Sequence, residues 1–318
     1  VARFALRRLL GMVAVLFAVS VLTFLIFNVI PSSDPAHRIA GKAATPNLIA
    51  SINEEWGFND SLPQQYVAMM KKVFSGDLES YFGRENVDER IIEGIPATFS
   101  LCIGAAVIWM FFGILFGYLS AVRAGSLLDR ALTVIAVAGI SIPVFGLAAV
   151  FLIYLTYKTE IFPSGEYVEF ATNPLEWAEH LILPWITLAI TYIGLYSRVL
   201  RSNMLDAMNE DYVRTARAKG LSERRVMTRH VLRNSLIPIV TLFGLDFGAL
   251  LGGAILVEGV FNINGVGLYA FESLENFDLP PVMAIVLFGA FFVVLFNALV
   301  DIAYAWLDPR IRLGEEAR

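Results

Sequence analysis

Six apolar stretches, each long enough to cross a bilayer as a helix, constrain this chain more than any other feature. They run approximately over Leu9–Ile30, Ala97–Val122, Ala131–Tyr157, Leu181–Leu200, Leu236–Val257 and Pro280–Leu307. A hydrocarbon core of about 30 Å takes roughly 20 helical residues rising 1.5 Å each. Backbone amides in lipid must be bonded within their own segment, so the expected fold class is an all-α integral membrane protein with six transmembrane helices. Composition agrees: 57% of the 318 residues are hydrophobic and 17% charged, against roughly 45–50% and about 25% in soluble domains. The same hydrophobicity excludes disorder, and the single Cys102 excludes a disulfide scaffold. A net charge of −5 without an extended basic domain argues against a nucleic-acid partner.

Arg3, Arg7 and Arg8 precede the first apolar run, as in a signal peptide. The run is too long for one, and Asn28-Val29-Ile30-Pro31 is a poor cleavage site, so a retained helix is expected. An even number of spans puts both termini on one side. On that side lie 17 Lys and Arg: three before span one, two in 123–130, nine in 198–233 and three after Leu307. The other side has seven, six of them in the 31–97 loop, which exceeds the roughly 60 residues over which loop charge steers insertion. Only Lys158 opposes the 17. Both termini are therefore expected in the cytoplasm, and the chain in a plasma (inner) membrane. Acidic residues show the reverse bias, 19 of 29 lying outside.

The chain divides into an N-terminal helix (1–30), an extracytoplasmic helical loop domain (31–96), a five-helix core (97–307) with a cytoplasmic loop (201–235), and a tail (308–318). In the loop domain Pro46 opens a run with Leu48, Ile49, Ile52 and Trp56 at helical spacing, and Pro63 opens another with Tyr66, Val67, Met70 and Phe74, closed by Gly76. It reads equally as a seal over the outer mouth or as a docking surface. Trp177 and Trp185 suit an interfacial aromatic belt. Ala270–Phe277 reads as a short outer helix.

The most informative segment is the 201–235 loop. Gly220 suits the left-handed end of a helix and Ser222 can cap the next, giving helix, sharp turn, helix. The second helix gathers Val226, Met227, His230 and Val231 on one face and Arg225, Arg229 and Arg233 in a stripe. Such a stripe also follows from orientation by positive charge and from lipid headgroups.

Here the sequence resembles a known family. The signature Glu-Ala-Ala, three residues, Gly of bacterial ABC-import permeases falls in register on Arg214-Thr215-Ala216 and Gly220, with Arg214 in place of the glutamate and His230-Val231-Leu232-Arg233-Asn234 in place of Ile-x-Leu-Pro. Asp211-Tyr212-Val213-Arg214-Thr215-Ala216-Arg217-Ala218-Lys219-Gly220-Leu221, with Arg229-His230 and the run to Pro238, is similar to the dipeptide/oligopeptide/nickel permeases. Asp34-Pro35, Leu62-Pro63, Gly76-Asp77-Leu78, Ile95-Pro96-Ala97-Thr98, Ser141-Ile142-Pro143, Leu250-Leu251-Gly252-Gly253-Ala254 and Glu258 with Val260-Phe261 follow in family order. Asn264-Gly265-Val266-Gly267 replaces a frequent Pro-Gly-x-Gly, and Asp246 stands where the family often has an uncharged polar residue.

The resemblance implies a type I ABC importer permease fold and a coupling loop carried by Asp211, Tyr212, Arg214, Thr215, Ala216, Lys219, Gly220 and Leu221. It implies as partners a second homologous permease, two nucleotide-binding ATPase subunits and an extracytoplasmic solute-binding protein, with ATP and Mg on the ATPases and no cofactor on this chain. Di- or oligopeptides are the implied cargo, with nickel complexes, glutathione or oligosaccharides as alternatives.

Ser141, Pro143, Tyr192 and Asp246 are candidates for the translocation path. A carboxylate at bilayer depth costs at least about 2.5–3.5 kcal/mol, so Asp246 should face protein or water, either binding a cation or pairing with a partner subunit. Pro143 should kink span three. Gly244, Gly248 and Gly252 form a close-packing stripe. No catalytic residue or metal site is expected: His37, His180 and His230 lie in separate connections, and Gly41-Lys42-Ala43 lacks the rest of a phosphate loop. An ATP-independent secondary transporter, the rival class, should show paired broken helices and several intramembrane ionisable groups.

Overall fold

The computed structural model describes residues 2–29, 35–163, 165–252 and 254–307. The 308–318 tail, Asp34 and Gly253 of the sequence motifs lie outside these described residues. Regular structure among them is helical, with one isolated bridge between Glu79 and Asn86.

Helix α1 (Ala2–Val29) leads into the loop domain, α2 (Pro35–Ala40), α3 (Pro46–Trp56) and α4 (Leu62–Ser75). Local chemistry sets these boundaries. Thr45 accepts from the Leu48 amide before α3, and Gln64 accepts from the amide and hydroxyl of Ser61 before α4. Gly57 and Gly76 end the two helices at φ of 68° and 77°.

Helix α5 (Val87–Val122) starts ten residues before the apolar stretch that announces it. Asn86 accepts from the Glu89 amide, and Pro96, whose ring holds a helical φ, is carried inside at the loss of one backbone bond. Helices α6 (Leu127–Ser141) and α7 (Val144–Lys158) are bent by 95° at Ile142-Pro143. Pro143 thus breaks the third span outright. Helix α8 (Pro174–Ala207) extends well past both ends of the expected Leu181–Leu200, because Asn173 caps it and its last turns continue toward the 201–235 loop. Then come α9 (Asp211–Ala218) and α10 (Glu223–Ser235), the latter bent by 43° from α11 (Ile237–Leu251). The expected fifth span does not run on to Val257. It stops at Leu251, and α12 (Ile255–Phe261) and α13 (Val266–Glu275) fold separately before α14 (Leu279–Leu307). Four helices, α1, α5, α8 and α14, are long and apolar enough to cross a membrane singly; the bent pairs α6–α7 and α10–α11 bring the number to six.

Helices α5 and α8 form the centre. Gly113 and Gly117 let them approach so closely that a Cβ there would lie 2.8 Å from Tyr196 Cβ and 2.9 Å from Leu200 Cβ. Trp185 is turned inward rather than to an interfacial belt: its indole covers Gly104 and donates to the Ser100 carbonyl at 3.0 Å, with Trp177 against it. A second core joins the loop domain to α1, α13 and α14 through Phe24, Met69, Leu78, Tyr81, Tyr269 and Met283. Tyr66 of α4 reaches down to Ser20, hydroxyl to hydroxyl 2.7 Å, between Phe17 and Phe24.

Candidate coupling loop and membrane path

The turn between α9 and α10 is built as a rigid corner. Gly220 has φ +76°, and Arg217 donates twice to Glu223 across it, at 2.7 and 3.1 Å, holding that carboxyl below its usual range. Ser222 occupies the capping position but makes no side-chain cap; its carbonyl accepts from Val226. Val213 and Ala216 are buried, as are Val226, Met227 and Val231 of α10, so the two helices share one small apolar seam. Everything else on α9 faces outward: Asp211, Tyr212, Arg214, Thr215 and Lys219 are exposed, with Leu221 half-buried at the corner. Arg225, Arg229 and Arg233 form an exposed stripe.

The end of α8 that leads to this corner is held by a cluster that sequence reasoning missed. Arg201, near the inner end of α8, donates to both oxygens of Asp129 at 2.7 and 2.8 Å. Asp129 is buried and also accepts from the Ser120 hydroxyl and, at 2.8 Å, from the Gly125 amide. One carboxylate therefore joins the end of α5, the start of α6 and the lever of α8. In the sequence Asp129 is one acid beside two arginines in a short connection, and nothing there names Arg201.

A second missed carboxylate is Glu258, fully buried. It accepts from the Thr98 hydroxyl at 2.9 Å and from the Leu268 amide at 3.0 Å, in the first turn of α13, where helix amides favour negative charge. Thr98 in turn accepts from the Val266 amide. The glycine pair now has a physical reason: a Cβ on Gly265 or Gly267 would strike the Glu258 carboxyl group. This explains Glu258, Thr98 and Gly265-Val266-Gly267 as one site.

The path candidates separate into two groups. Asp246 and Tyr192 come together. Tyr196 donates to Asp246 at 2.8 Å, and Trp109 stacks on Tyr192 with centroids 4.6 Å apart. Ser141 and Pro143 lie exposed at the α6–α7 bend, where Ser141 donates to the Val137 carbonyl one turn back. Helix α6 meets α8 at Ile190, Thr191 and Gly194, whereas Tyr192 and Tyr196 turn toward Trp109. Gly248 and Gly252 bring α11 against α14: Cβ atoms there would lie 3.0 Å from Val293 Cα and from Gly289 Cα. Gly244 faces Val300, whose methyl a Cβ would overlap. Among the described residues no group of three His, Cys, Asp or Glu side chains is placed to hold a metal ion.

Comparison with known proteins finds relatives over nearly the full length of the chain. A family model described as "Binding-protein-dependent transport system inner membrane component" matches residues 113–313. A second, "Binding-prot-dependent transport system membrane comp, N-term", matches residues 1–102. The chain is 36% identical to a probable peptide ABC transporter permease protein, y4tP, of Sinorhizobium fredii, over 97% of this chain and 99% of that protein. It is 37% identical to the glutathione transport system permease protein GsiC of Escherichia coli O6:H1, over 97% and 98%. With the probable D,D-dipeptide transport system permease protein DdpB of Escherichia coli K12 it shares 35% over 97% of each.

Proposed function

The chain belongs to the inner membrane components of binding-protein-dependent transport systems, multi-pass permeases that work with ATPase and substrate-binding components, and on that premise we propose that it forms half of the translocation path of an ATP-driven importer of di- or oligopeptides. A second permease closes the path, and two ATPase subunits carry all nucleotide and Mg chemistry. The chain itself catalyses nothing. Both termini and the 201–235 loop lie in the cytoplasm, and a solute-binding protein delivers cargo from outside. The peptide-named relatives support the cargo class.

One observation carries the coupling role. Helix α9 keeps only Val213 and Ala216 for its own chain and turns every other side chain out, on a corner rigid enough to move as a body with α8 and α10. An exposed projection of this kind fits a groove in an ATPase. Replacing Ala216 by Trp and Gly220 by Val removes the seam and strains the turn. In proteoliposomes holding the assembled transporter, ATP hydrolysis should continue while dipeptide uptake falls at least about tenfold, a cost of about 1.4 kcal/mol or more in coupling. Normal uptake in that variant would contradict the coupling role.

A further inference from the structure

Asp246 is a carboxylate inside a membrane helix with no counter-ion from its own chain's apolar segments: residues 91–122, 131–157, 159–197 and 234–309 contain no lysine or arginine. Its Oδ2 accepts from Tyr196, and no described residue donates to Oδ1. The carboxylate also sits on a boundary. Gly244, Phe247 and Gly248 on one side of α11 are buried, while Leu245 and Ala249 on the other are exposed. Lipid cannot occupy that open edge beside an ionised group without a cost of at least about 2.5–3.5 kcal/mol, so the edge looks onto water or another protein.

The wall beside the carboxylate is aromatic. Tyr192, half-buried, packs edge-on to Tyr196 and is backed on one face by the fully buried Trp109, which also packs on Tyr196 and Phe243. Aromatic faces attract ammonium groups, more strongly where water is displaced. A carboxylate with one oxygen fixed by a buried phenol and the other without a described donor, next to such a wall, keeps an acceptor for a cation.

We propose that Asp246, Tyr196 and Tyr192 form a subsite of the translocation path that binds the ammonium group of the cargo, the free α-amine of a peptide being the class that fits. This rests on the importer reading above and deepens it. The free Oδ1 receives the ammonium, the Tyr196 hydroxyl keeps the carboxylate oriented, and the Tyr192 ring covers the apolar side of the cation. A guanidinium from the second permease is the rival occupant, and the recovery of that subunit with D246N separates the two.

The test has two arms on the complete purified transporter. In the first, dicyclohexylcarbodiimide modification of Asp246 is followed by mass spectrometry with and without Ala-Ala and n-butylammonium; both should slow it at least about fivefold, and N-acetyl-Ala-Ala should not. In the second, uptake of Ala-Ala is measured for D246N, D246E and Y196F. D246N should lose at least about tenfold of uptake, D246E should recover most of it, and Y196F should fall between, with recovery of the second permease unchanged in all three. Protection by butylammonium without any peptide uptake by the unmodified transporter would sink the peptide reading and leave the cation subsite standing. Absence of protection, or wild-type uptake by D246N, overturns the subsite. Loss of the second permease from purified D246N also overturns it, since Asp246 would then be a subunit contact.

Discussion

Two buried carboxylates show how single residues hold this bundle together. Glu258 takes hydrogen bonds from Thr98 on α5 and from the first turn of α13, joining segments 160 residues apart. Replacing it by alanine leaves a hydroxyl and an amide unpaired in an interior site, each costing about 1–3 kcal/mol. E258A should therefore destabilise the detergent-purified protein by about 2–6 kcal/mol in thermal unfolding, and E258Q, which keeps one acceptor, by about half of that. Equal melting of E258A and wild type would mean that water replaces the carboxylate. Gly265 and Gly267 belong to the same argument, since side chains there would occupy the carboxylate's place.

At the scale of elements, the inner clamp sets how α6 and α8 move. With Arg201 bound to Asp129 by both oxygens, a displacement of α8 is passed to α6. Arg201 is about a third exposed, so R201M should cost about 2–3 kcal/mol, toward the low end for a broken pair with one buried partner. A double-mutant cycle with D129N should show coupling energy at the same pair. At the loop domain, Asp278 accepts from Ser80 at 2.5 Å and from the Tyr81 amide at 3.1 Å, fastening that domain to the start of α14. Burial nevertheless holds its carboxyl above the ordinary range. The fastened form thus binds a proton more tightly than the unfastened one. Its stability is full below the ordinary carboxylate pKa of about 3.9 and is lost as pH rises from there through the raised value. Amide exchange in residues 35–86, corrected for intrinsic rates, should quicken over that window, and D278N should flatten the dependence.

These elements also show what a sequence makes legible. The helices α3 and α4 were readable to within a residue because proline, serine and glycine act locally. The corner at Gly220 and the buried face of Val226, Met227 and Val231 were readable for the same reason. The break at Pro143 was visible as a kink, but not its 95° size, which depends on how α7 packs. The early start of α5 was hidden because its first turns are polar and are covered by the loop domain and by the start of α13, both distant in the sequence or irregular in pattern. Arg201 and Asp129 are 72 residues apart, and no local rule pairs them. Asp246 was conspicuous through its cost in lipid, whereas its phenolic partner became apparent only when α8 was laid against α11.

On the scale of the whole molecule, Cys102 is buried and is the only cysteine, so the native chain is nearly silent to impermeant thiol reagents. Cysteines introduced at the exposed Asn59 and Thr172 should be labelled from outside intact cells, and those at Lys219 and Arg224 only after the inner face is opened. Labelling of Lys219→Cys from outside would reverse the proposed orientation.

The contact between Tyr66 and Ser20 bears on the membrane itself. Ser20 lies at the middle of the apolar stretch Leu10–Asn28, so in the proposed orientation α4, with Val67 and Phe74 uncovered, would lie beside α1 within the outer half of the bilayer rather than above it. On that flank the protein is broader in one leaflet than in the other. A body so placed would splay the acyl chains of that leaflet and leave the others undisturbed, and the seating of the loop domain would then respond to the curvature and lateral pressure of the surrounding lipid, mechanical variables independent of nucleotide and cargo.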